Sequence, residues 1–477
     1  MLPDRTLTRK STELQDLPSS KISIKSNYGK PRKMDMAVKN APDFAALEAK
    51  QGDMDSALAY PATAQPEFVA ARGCYLIEAG GKRYLDGCAG TFNINLGYGH
   101  PAVTEAVSRV LSTGLVHLSG SFRHPEVEGA ARALVEVAPD GLTHCHFKGS
   151  TGGSTAVEQA LRHAWAATGK RSVITFRGGH HGQTIATTSV SGMPFRCNRL
   201  PISPLPAVHV DPPDCYRCRW HRTPDTCRLE CIDAIEQAID SAPTGEDDTA
   251  AFIGEPILGA GGGIAPPKHW WAALHSRLRR RGVLLALDEV QTFGRTGSFF
   301  AADYYDVQPD MIVVSKGISG IGVPGAAGVL MTDSLRKLNA GERSLTSAAS
   351  VLSMAATRAT IEVMRAPGFF ESARHAGNVL AERLQSLQRD FDCIGVVRGH
   401  GLMTGIELVK DRTSREPDVA LARRVIEQCA SNGLLLRTSL YDRGAFVKVR
   451  PPLVIGEDEV HELCDKLRYA LGAACQA

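Results

Sequence analysis

The chain has 477 residues, a length that suits two domains better than a single hydrophobic core. Hydrophobic residues make up 43% and charged residues 22%, as in ordinary soluble proteins, and a net charge of +3 gives no reason to expect nucleic acid or a membrane as a partner. Without a run of about 18 apolar residues or a secretory signal, we expect a cytoplasmic protein, and we expect its 12 cysteines to be reduced.

Residues 1–60 differ from the rest of the chain, because they are polar and lack sustained apolar periodicity. Their basic residues cluster at Lys21, Lys25, Lys30, Arg32 and Lys33. This composition predicts an N-terminal extension that is partly disordered or lies as an arm on a neighbouring subunit. A nucleic-acid tail is the alternative, although aromatic side chains that could stack on bases are almost absent there.

Strand-like and helical patterns alternate between residues 116 and 365. Short apolar runs occupy residues 172–176, 251–254 and 327–331. Such alternation predicts an α/β fold with a mostly parallel sheet and helices on both of its faces. Towards the C-terminus the pattern predicts a helix over residues 417–432, followed by short strands and a final helix.

A glycine-rich loop, residues 149–153, leads directly into a helical pattern. Small or apolar residues form one stripe of that helix, and Ser154 or Thr155 is the expected N-cap. Glycine lets backbone N–H groups approach an anion, and a helix N-terminus favours negative charge. The segment therefore predicts a phosphate cradle formed by Gly152, Gly153 and Ser154, with an ordinary turn as the alternative.

Four cysteines fall within a stretch of 17 residues. Thiolates at this density can bind zinc or an iron–sulfur cluster, although the spacing matches neither a zinc ribbon nor a common ferredoxin motif. Reduced structural cysteines and disulfides are the alternatives. The four residues are Cys215, Cys218, Cys227 and Cys231.

Two further apolar runs end on residues that can carry chemistry. Residues 283–287 predict a buried strand that ends on Asp288, and residues 311–315 predict another that ends on Lys316. Groups at the carboxyl ends of parallel strands face the ligand crevice. An acid there can keep a pyridinium nitrogen protonated, and a lysine there can form a Schiff base with an aldehyde. The pair indicates an enzyme that uses pyridoxal 5'-phosphate, with both residues catalytic.

The sequence around these two residues is similar to that of a known family. DEVQTFGRTG at 288–297 and SKG at 315–317 resemble the signature of the class III, or ω-type, aminotransferases of fold type I. Shorter motifs follow the family's order: RG at 72–73, KRYLD at 82–86, GYGHP at 97–101, EP at 255–256, APP at 265–267, RGHGLM at 398–403 and PPL at 451–453. The segment SKGISGIGVP at 315–324 is especially similar to the diaminobutyrate–2-oxoglutarate transaminase branch.

The resemblance implies a mostly parallel seven-stranded sheet sandwiched by helices, together with a smaller α+β domain. Residues 116–365 would form the large cofactor-binding domain, and residues 61–115 with 366–477 the small one. It also implies a homodimer with shared active sites, because Thr346 matches a threonine that binds the phosphate of the neighbouring subunit's cofactor. A helix-capping threonine is the alternative for Thr346.

The remaining cofactor contacts are implied residue by residue. Gln291 would reach the hydroxyl of the cofactor ring, and Glu255 would help to orient that interaction. His180 takes the place of an aromatic residue that stacks on the ring face, where an imidazole is a weaker platform. His181 matches the family's histidine, and a buried histidine without a catalytic role is its alternative.

Substrate recognition departs from the common pattern of the family. Where many members carry an arginine that clamps the acceptor's carboxylate, this chain has Lys448, as the diaminobutyrate branch does, and Ala260 replaces a gating glutamate. A lysine can still pair with a carboxylate, as a point charge without the bidentate fork of arginine. Arg398 and Arg450 are nearby alternatives for this role.

The resemblance thus implies an aminotransferase that moves an amino group from a diamino acid or ω-amine to a keto acid such as 2-oxoglutarate, by a ping-pong mechanism. One alternative is a pyridoxal phosphate enzyme of this fold without net transamination: a racemase, a decarboxylase or a carbon–carbon bond-forming enzyme. The other is a catalytically silent binding protein on the same scaffold, which the presence of both Asp288 and Lys316 disfavours.

Overall fold

The computed structural model describes residues 66–193, 205–245, 247–348, 350–439 and 444–476. The predicted N-terminal arm, residues 1–60, lies outside the described residues. None of the helices in the described ranges is long and apolar enough to cross a membrane.

Fifteen strands are defined in these ranges. They are β1 (Phe68–Arg72), β2 (Tyr75–Glu78), β3 (Arg83–Asp86), β4 (His144–Gly149), β5 (Ser172–Phe176), β6 (Ala207–Val210), β7 (Thr249–Gly254), β8 (Leu284–Asp288), β9 (Met311–Val314), β10 (Ala327–Met331), β11 (Ile394–His400), β12 (Met403–Leu408), β13 (Leu434–Leu435), β14 (Arg437–Thr438) and β15 (Phe446–Val449).

The described α-helices lie between and after these strands. They are Ala89–Phe92, Pro101–Thr113, Pro125–Glu136, Gly153–Thr168, Ile185–Val190, Glu230–Asp240, Trp270–Arg280, Ala301–Tyr304, Ala340–Arg343, Val351–Met364, Phe369–Asp390, Val419–Ser431 and Glu457–Gln476. Short 3₁₀ turns occupy Pro224–Thr226, Lys316–Ser319 and Asp333–Leu335.

Seven strands form one large sheet in the order β4-β10-β9-β8-β7-β5-β6. β10 is antiparallel to both of its neighbours, and the other pairs are parallel. The predicted seven-stranded, mostly parallel sheet is therefore confirmed. β5, β7, β9 and β10 are buried along their whole length, as expected for strands that helices cover on both faces.

Alternate residues of these strands supply two separate hydrophobic cores. Ile312 and Val314 of β9 point into the core that contains the tryptophan pair Trp270 and Trp271, whereas Val313 points into the core under helix Gly153–Thr168. Successive side chains of a strand face opposite sides of the sheet. The apolar runs in the sequence thus supply buried side chains to both faces of the sheet.

Two smaller sheets join distant parts of the chain. The first has the order β1-β2-β3-β13, with β13 parallel to β3, and the second has the order β11-β12-β15-β14. The N-terminal strands therefore share a sheet with residues 434–435. This arrangement agrees with the segments predicted for the small domain, whose boundaries remain a prediction.

Candidate active site

Five strand ends meet along one edge of the large sheet. β4, β5, β7, β8 and β9 run in the same direction, so their carboxyl ends lie at the same edge. The glycine loop follows β4, the two histidines follow β5, Glu255 follows β7, Asp288 ends β8 and Lys316 follows β9. The structure therefore brings most of the predicted cofactor residues to one place.

Lys316 lies half-buried at this edge. Its φ of 47° lies in the left-handed region, where non-glycine residues are uncommon and mark sites worth inspection. Burial lowers the pKa of the amine, the carboxylates of Asp288 and Glu255 oppose this shift, and Arg450 and Arg295 add to it. Within the described residues its Nζ makes no hydrogen bond. Burial thus favours the neutral form of this amine relative to an exposed lysine.

Asn95 fixes the backbone next to this lysine. A Cβ at Gly317 would lie 2.1 Å from the amide nitrogen of Asn95, so only glycine fits at that position. The same amide donates to the carbonyl oxygen of Phe293 at 2.9 Å, and its oxygen accepts from Nη2 of Arg295 at 2.9 Å. Asn95 therefore ties the lysine turn to the segment that follows Asp288.

Asp288 is held by a buried histidine. Nδ1 of His181 lies 2.7 Å from Oδ2 of Asp288, and Nε2 lies 3.1 Å from Oγ1 of Thr175. Because a carboxylate only accepts hydrogen bonds, Nδ1 carries a proton and donates it to Asp288, while Nε2 shares the second hydrogen bond with the threonine hydroxyl. The backbone N–H of Val290 donates to Oδ1 at 3.1 Å. Both carboxylate oxygens are thus fixed, and sequence reasoning did not identify this partnership.

The helix after the glycine loop begins earlier than predicted. Its N-cap is Gly152, with φ 87° and ψ 174°, and the prediction of Ser154 or Thr155 as N-cap is wrong because this backbone conformation is essentially restricted to glycine. Ser154 lies in the first turn, where its Oγ accepts from the backbone N–H of Gln183 at 3.2 Å. The first-turn N–H groups lack intrahelical partners, so the loop keeps the features of an anion site.

Two segments distant in sequence pack against this loop. A Cβ at Gly153 would approach Val290 at 3.2 Å, which places the helix start against the segment after β8. A Cβ at Gly149 would lie 1.6 Å from the carbonyl oxygen of Ser347, so the turn containing Thr346 packs on the loop. Thr346 itself is exposed within the chain. Its contact with a neighbouring subunit stays a prediction.

Glu255 connects two loops at the sheet edge. Its Oε1 accepts from the backbone N–H of His180 at 2.9 Å, and its Oε2 accepts from the backbone N–H of Gly259 at 2.8 Å. Burial raises the pKa of this carboxyl. Glu255 therefore fixes the backbone that carries His180, whose stacking role remains a prediction.

Gln291 and Arg450 form a buried contact. Arg450 donates from Nη1 to Oε1 of Gln291, and from Nη2 to the carbonyl oxygen of Gly259 at 3.1 Å. Burial lowers the pKa of Arg450 to about 10, so the guanidinium remains charged at neutral pH. Among the residues that the structure describes, no carboxylate forms an ion pair with it.

Arg295 is a further buried cation, and our sequence predictions did not include it. Its Nη1 donates to the carbonyl oxygen of Pro451 at 2.9 Å, and its Nη2 donates to Asn95. Burial lowers its pKa to about 9. The sequence did contain a signal for Arg295, because it lies inside the signature motif and shortly after a buried strand.

Lys448 and Arg398 lie on the sheet of β11, β12, β15 and β14. Gly405 of β12 is the register partner of both, so one strand separates the two cations. Nζ of Lys448 lies 5.4 Å from the centre of the Phe92 ring and makes no hydrogen bond with a described residue. Burial, followed by the charge of Arg450, lowers the pKa of Lys448 to about 7.

Arg398 is already neutralised by acids. It donates to Oε2 of Glu407, and its Nη1 lies 3.6 Å from Asp214. Arg217 binds the other oxygen of Glu407 at 2.5 Å. Lys448 has no such partner in the described ranges. Of the two predicted substrate residues, Lys448 is therefore the better placed to receive a carboxylate.

The four clustered cysteines line one pocket of about 240 Å³. Sγ of Cys231 accepts from Nε1 of Trp270 at 3.1 Å, and Sγ of Cys227 accepts from the backbone N–H of Leu229 at 3.4 Å. Burial raises the pKa of Cys215 to about 11, and the nearby thiols add to that shift. All four are free thiols. Within the described ranges, no group of three or more His, Cys, Asp or Glu side chains is arranged to hold a metal ion.

Comparison with known proteins places this site in a family context. The family model described as aminotransferase class-III matches residues 61–471. A putrescine–pyruvate aminotransferase of Pseudomonas aeruginosa is 32% identical over 85% of this chain and 90% of its own length. A diaminobutyrate–2-oxoglutarate aminotransferase of Rhizobium meliloti is 31% identical over 90% of this chain and 92% of its own. An alanine/serine racemase of Pyrococcus horikoshii is 30% identical, covering 84% of each.

Solved structures show the same architecture. An (S)-enantioselective ω-transaminase from Thermomicrobium roseum superposes with a TM-score of 0.80 at 29% identity, covering 92% of this chain and 99% of that one. The likeness extends well beyond the large sheet, since almost all of the solved chain is covered.

Proposed function

Because the chain belongs to the class-III aminotransferase family, we propose that it moves the terminal amino group of a diamino acid or ω-amine onto a keto acid such as 2-oxoglutarate. Family membership makes it a transaminase that depends on pyridoxal 5'-phosphate. The amino donors and keto acids named for the two aminotransferase relatives support the substrate classes. The observation that carries the proposal is the half-buried Lys316, whose amine has a lowered pKa and interacts with the charge of the fixed Asp288 carboxylate.

The residues of the site fit the cofactor. The side-chain-free loop at Gly152 and Gly153 can receive a phosphate, Asp288 can face a pyridinium nitrogen, and Lys316 supplies an amine without a competing hydrogen bond in the described chain. When bound, the cofactor supplies an aldehyde that carries the amino group between half-reactions and a ring that withdraws electrons.

Lys316 is proposed to move the proton in both half-reactions. Burial favours the neutral amine, which can take a proton from the reacting carbon and return it to a neighbouring atom. His181 keeps Asp288 oriented throughout, because its Nδ1–H occupies one carboxylate oxygen. The donor's product leaves before the acceptor enters, which is the order of a ping-pong mechanism.

A cluster of buried basic side chains supports an anionic acceptor. Lys448, Arg450 and Arg295 are buried close to Lys316, and none forms an ion pair with a carboxylate of the described residues. Buried charges are usually paired, so an incoming carboxylate would find uncompensated cations here. We propose Lys448 as the main contact for the carboxylate of the keto acid.

The test is a half-reaction measured on the purified enzyme loaded with pyridoxal phosphate. Each of a panel of diamino acids and ω-amines is added without acceptor, and both the cofactor's absorbance and the released carbonyl product are followed. One equivalent of product per active site, abolished in Lys316→Ala, supports the proposal. Loading without any product from any amine would overturn it.

The racemase relative supports one alternative, a reaction of the same cofactor without net transamination. Such an enzyme would invert or decarboxylate a donor in the absence of any keto acid and release no carbonyl product. Chiral analysis of the recovered donor detects inversion, and released carbon dioxide detects decarboxylation, so both functions are distinguished from transamination in the same samples.

We also propose a homodimer with shared sites and a cytoplasmic location. The exposed Thr346 beside the phosphate loop supports the first, because a second copy could reach across at that point. The described cysteines are all free thiols, as is usual in a reducing compartment, which supports the second.

The metal hypothesis for Cys215, Cys218, Cys227 and Cys231 has weaker support. They share a pocket, but uptake of zinc or an iron–sulfur cluster would require their side chains to move from the arrangement described. We propose that they are reduced structural thiols. Elemental analysis of the purified protein tests this, and one equivalent of zinc or iron that is lost in Cys227→Ser would contradict it.

A further inference from the structure

We infer that Arg450 is a positioning residue that fixes the side-chain amide of Gln291, so that its NH₂ group faces the cofactor. This inference rests on the proposed function. It differs from the sequence prediction, in which Arg450 was an alternative contact for the substrate carboxylate. The observation behind it is the donation from Nη1 of Arg450 to Oε1 of Gln291.

The chemistry of arginine decides which way the amide is turned. A guanidinium has five N–H donors and no acceptor, so any amide group that it contacts must present its oxygen. The nitrogen of the planar amide then points away from Arg450. Within the described residues Nε2 of Gln291 has no hydrogen-bond partner. Its two N–H donors are therefore available to a bound cofactor.

Arg450 is itself held rigidly. Its backbone N–H donates to the carbonyl oxygen of Gly87 at 2.7 Å, Nη2 donates to the carbonyl oxygen of Gly259 at 3.1 Å, and the guanidinium lies 5.2 Å from the centre of the Phe92 ring. The side chain is completely buried. Its partners among the described residues are therefore protein groups that accept hydrogen bonds or stack, which suits a support better than a substrate clamp.

Gly259 completes this support. A Cβ at this position would lie 2.4 Å from Oε1 of Gln291, so a side chain there would displace the amide. The backbone N–H of Gly259 donates to Glu255, and its carbonyl accepts from Arg450. Glu255, Gly259, Arg450 and Gln291 thus form one chain of contacts, which explains how Glu255 could act on the ring without touching it.

The consequence would be an N–H donor available to the ring hydroxyl of the cofactor, the contact that the family resemblance implies for Gln291. A hydrogen bond donated to an oxygen favours its anionic form. Loss of the fixed orientation should therefore raise the pH at which the absorbance of the bound cofactor changes. We expect a rise of about one pH unit, the size of a single hydrogen bond to a charged group.

The experiment is a double-mutant cycle on the loaded enzyme, with absorbance titrated against pH. Arg450→Met and Gln291→Ala should each raise the midpoint by about one unit, and the double variant should show no further rise. Arg450→Lys, which keeps the charge but donates through a single ammonium, should give an intermediate midpoint and guards against misfolding of the methionine variant.

Each result has a definite meaning. If Arg450→Met shifts the midpoint equally in the presence and absence of the Gln291 amide, Arg450 acts through its charge alone and the inference is overturned. The same holds if neither arginine variant shifts it. A wild-type protein that binds no pyridoxal phosphate would overturn the proposed function as well, so the two failures are distinguishable.

Discussion

At the scale of single residues, the site depends on side chains that are oriented by residues far away in sequence. Asp288 is oriented by His181, and Gln291 by Arg450. These supporting residues do not need to touch substrate to affect the reaction, because small displacements of a reacting group lower its efficiency strongly.

Replacing His181 with phenylalanine should lower kcat about tenfold to a hundredfold, because it removes a hydrogen bond to a charged carboxylate worth roughly 1.5–3 kcal/mol. The matched control is Thr175→Val, which removes only the hydrogen bond on the far side of the imidazole. We expect a smaller loss there. The measurement is steady-state kcat for the wild type and both variants. An equal decrease in kcat in both variants would show that His181 contributes only by packing in the core.

Lys448 should make acceptor binding depend on pH. Its pKa is lowered to about 7, so the amine is charged below that pH and increasingly neutral above it. The KM for the keto acid should therefore rise above pH 7, by up to about tenfold per unit, as the charge that attracts the carboxylate is lost.

Lys448→Arg is the matched control for this titration, because a guanidinium stays charged over the whole range. Its KM for the keto acid should be flat between pH 7 and 9, measured at saturating donor. A KM that rises equally in the wild type and in Lys448→Arg would assign the titration to another group.

At the scale of elements, the positions of the strands could be predicted from the sequence. The backbone conformation of the loops after them and the long-range contacts at the site could not. Buried parallel strands are continuous apolar runs, so β8 and β9 were predicted within one or two residues, and their ends on Asp288 and Lys316 followed. The N-cap was mispredicted because side-chain preference for Ser and Thr does not reveal a positive φ at Gly152. The contact of Arg450 with Gln291 joins residues 159 apart in sequence, which no local pattern encodes.

The conformation of Gly152 provides a test of the phosphate loop. Gly152→Ala would force a side chain into a glycine-only region at a cost of roughly 1–3 kcal/mol, and should weaken pyridoxal phosphate binding about tenfold or more. Gly141→Ala is the matched control, since Gly141 has φ 88°, also has open space around its Cβ position, and precedes β4 away from the loop. It should lower the unfolding temperature without changing the Kd for the cofactor.

At the scale of the whole molecule, the fold joins distant segments around the sheet edge. β3, near the start of the described chain, pairs with residues 434–435, and Arg295 and Asn95 link the segment after β8 to residue 451 and to the lysine turn. Family motifs in the sequence indicated which segments belong to the site. The distances and orientations of the site residues could not be predicted from these motifs. They depend on contacts between segments that are far apart in sequence, and such contacts are seen only in the folded structure.

The proposed sharing of sites between two copies gives the prediction at this scale. If Thr346 serves the neighbouring subunit, a heterodimer of Lys316→Ala with Thr346→Ala has one site that lacks both groups and one that lacks neither. Differently tagged subunits purified together should then recover about half of the wild-type kcat per dimer, although the Lys316→Ala homodimer is inactive and the Thr346→Ala homodimer is impaired. If Thr346 serves its own site, the only active lysine lies beside an altered threonine, and the heterodimer would show no more than half the activity of the Thr346→Ala homodimer.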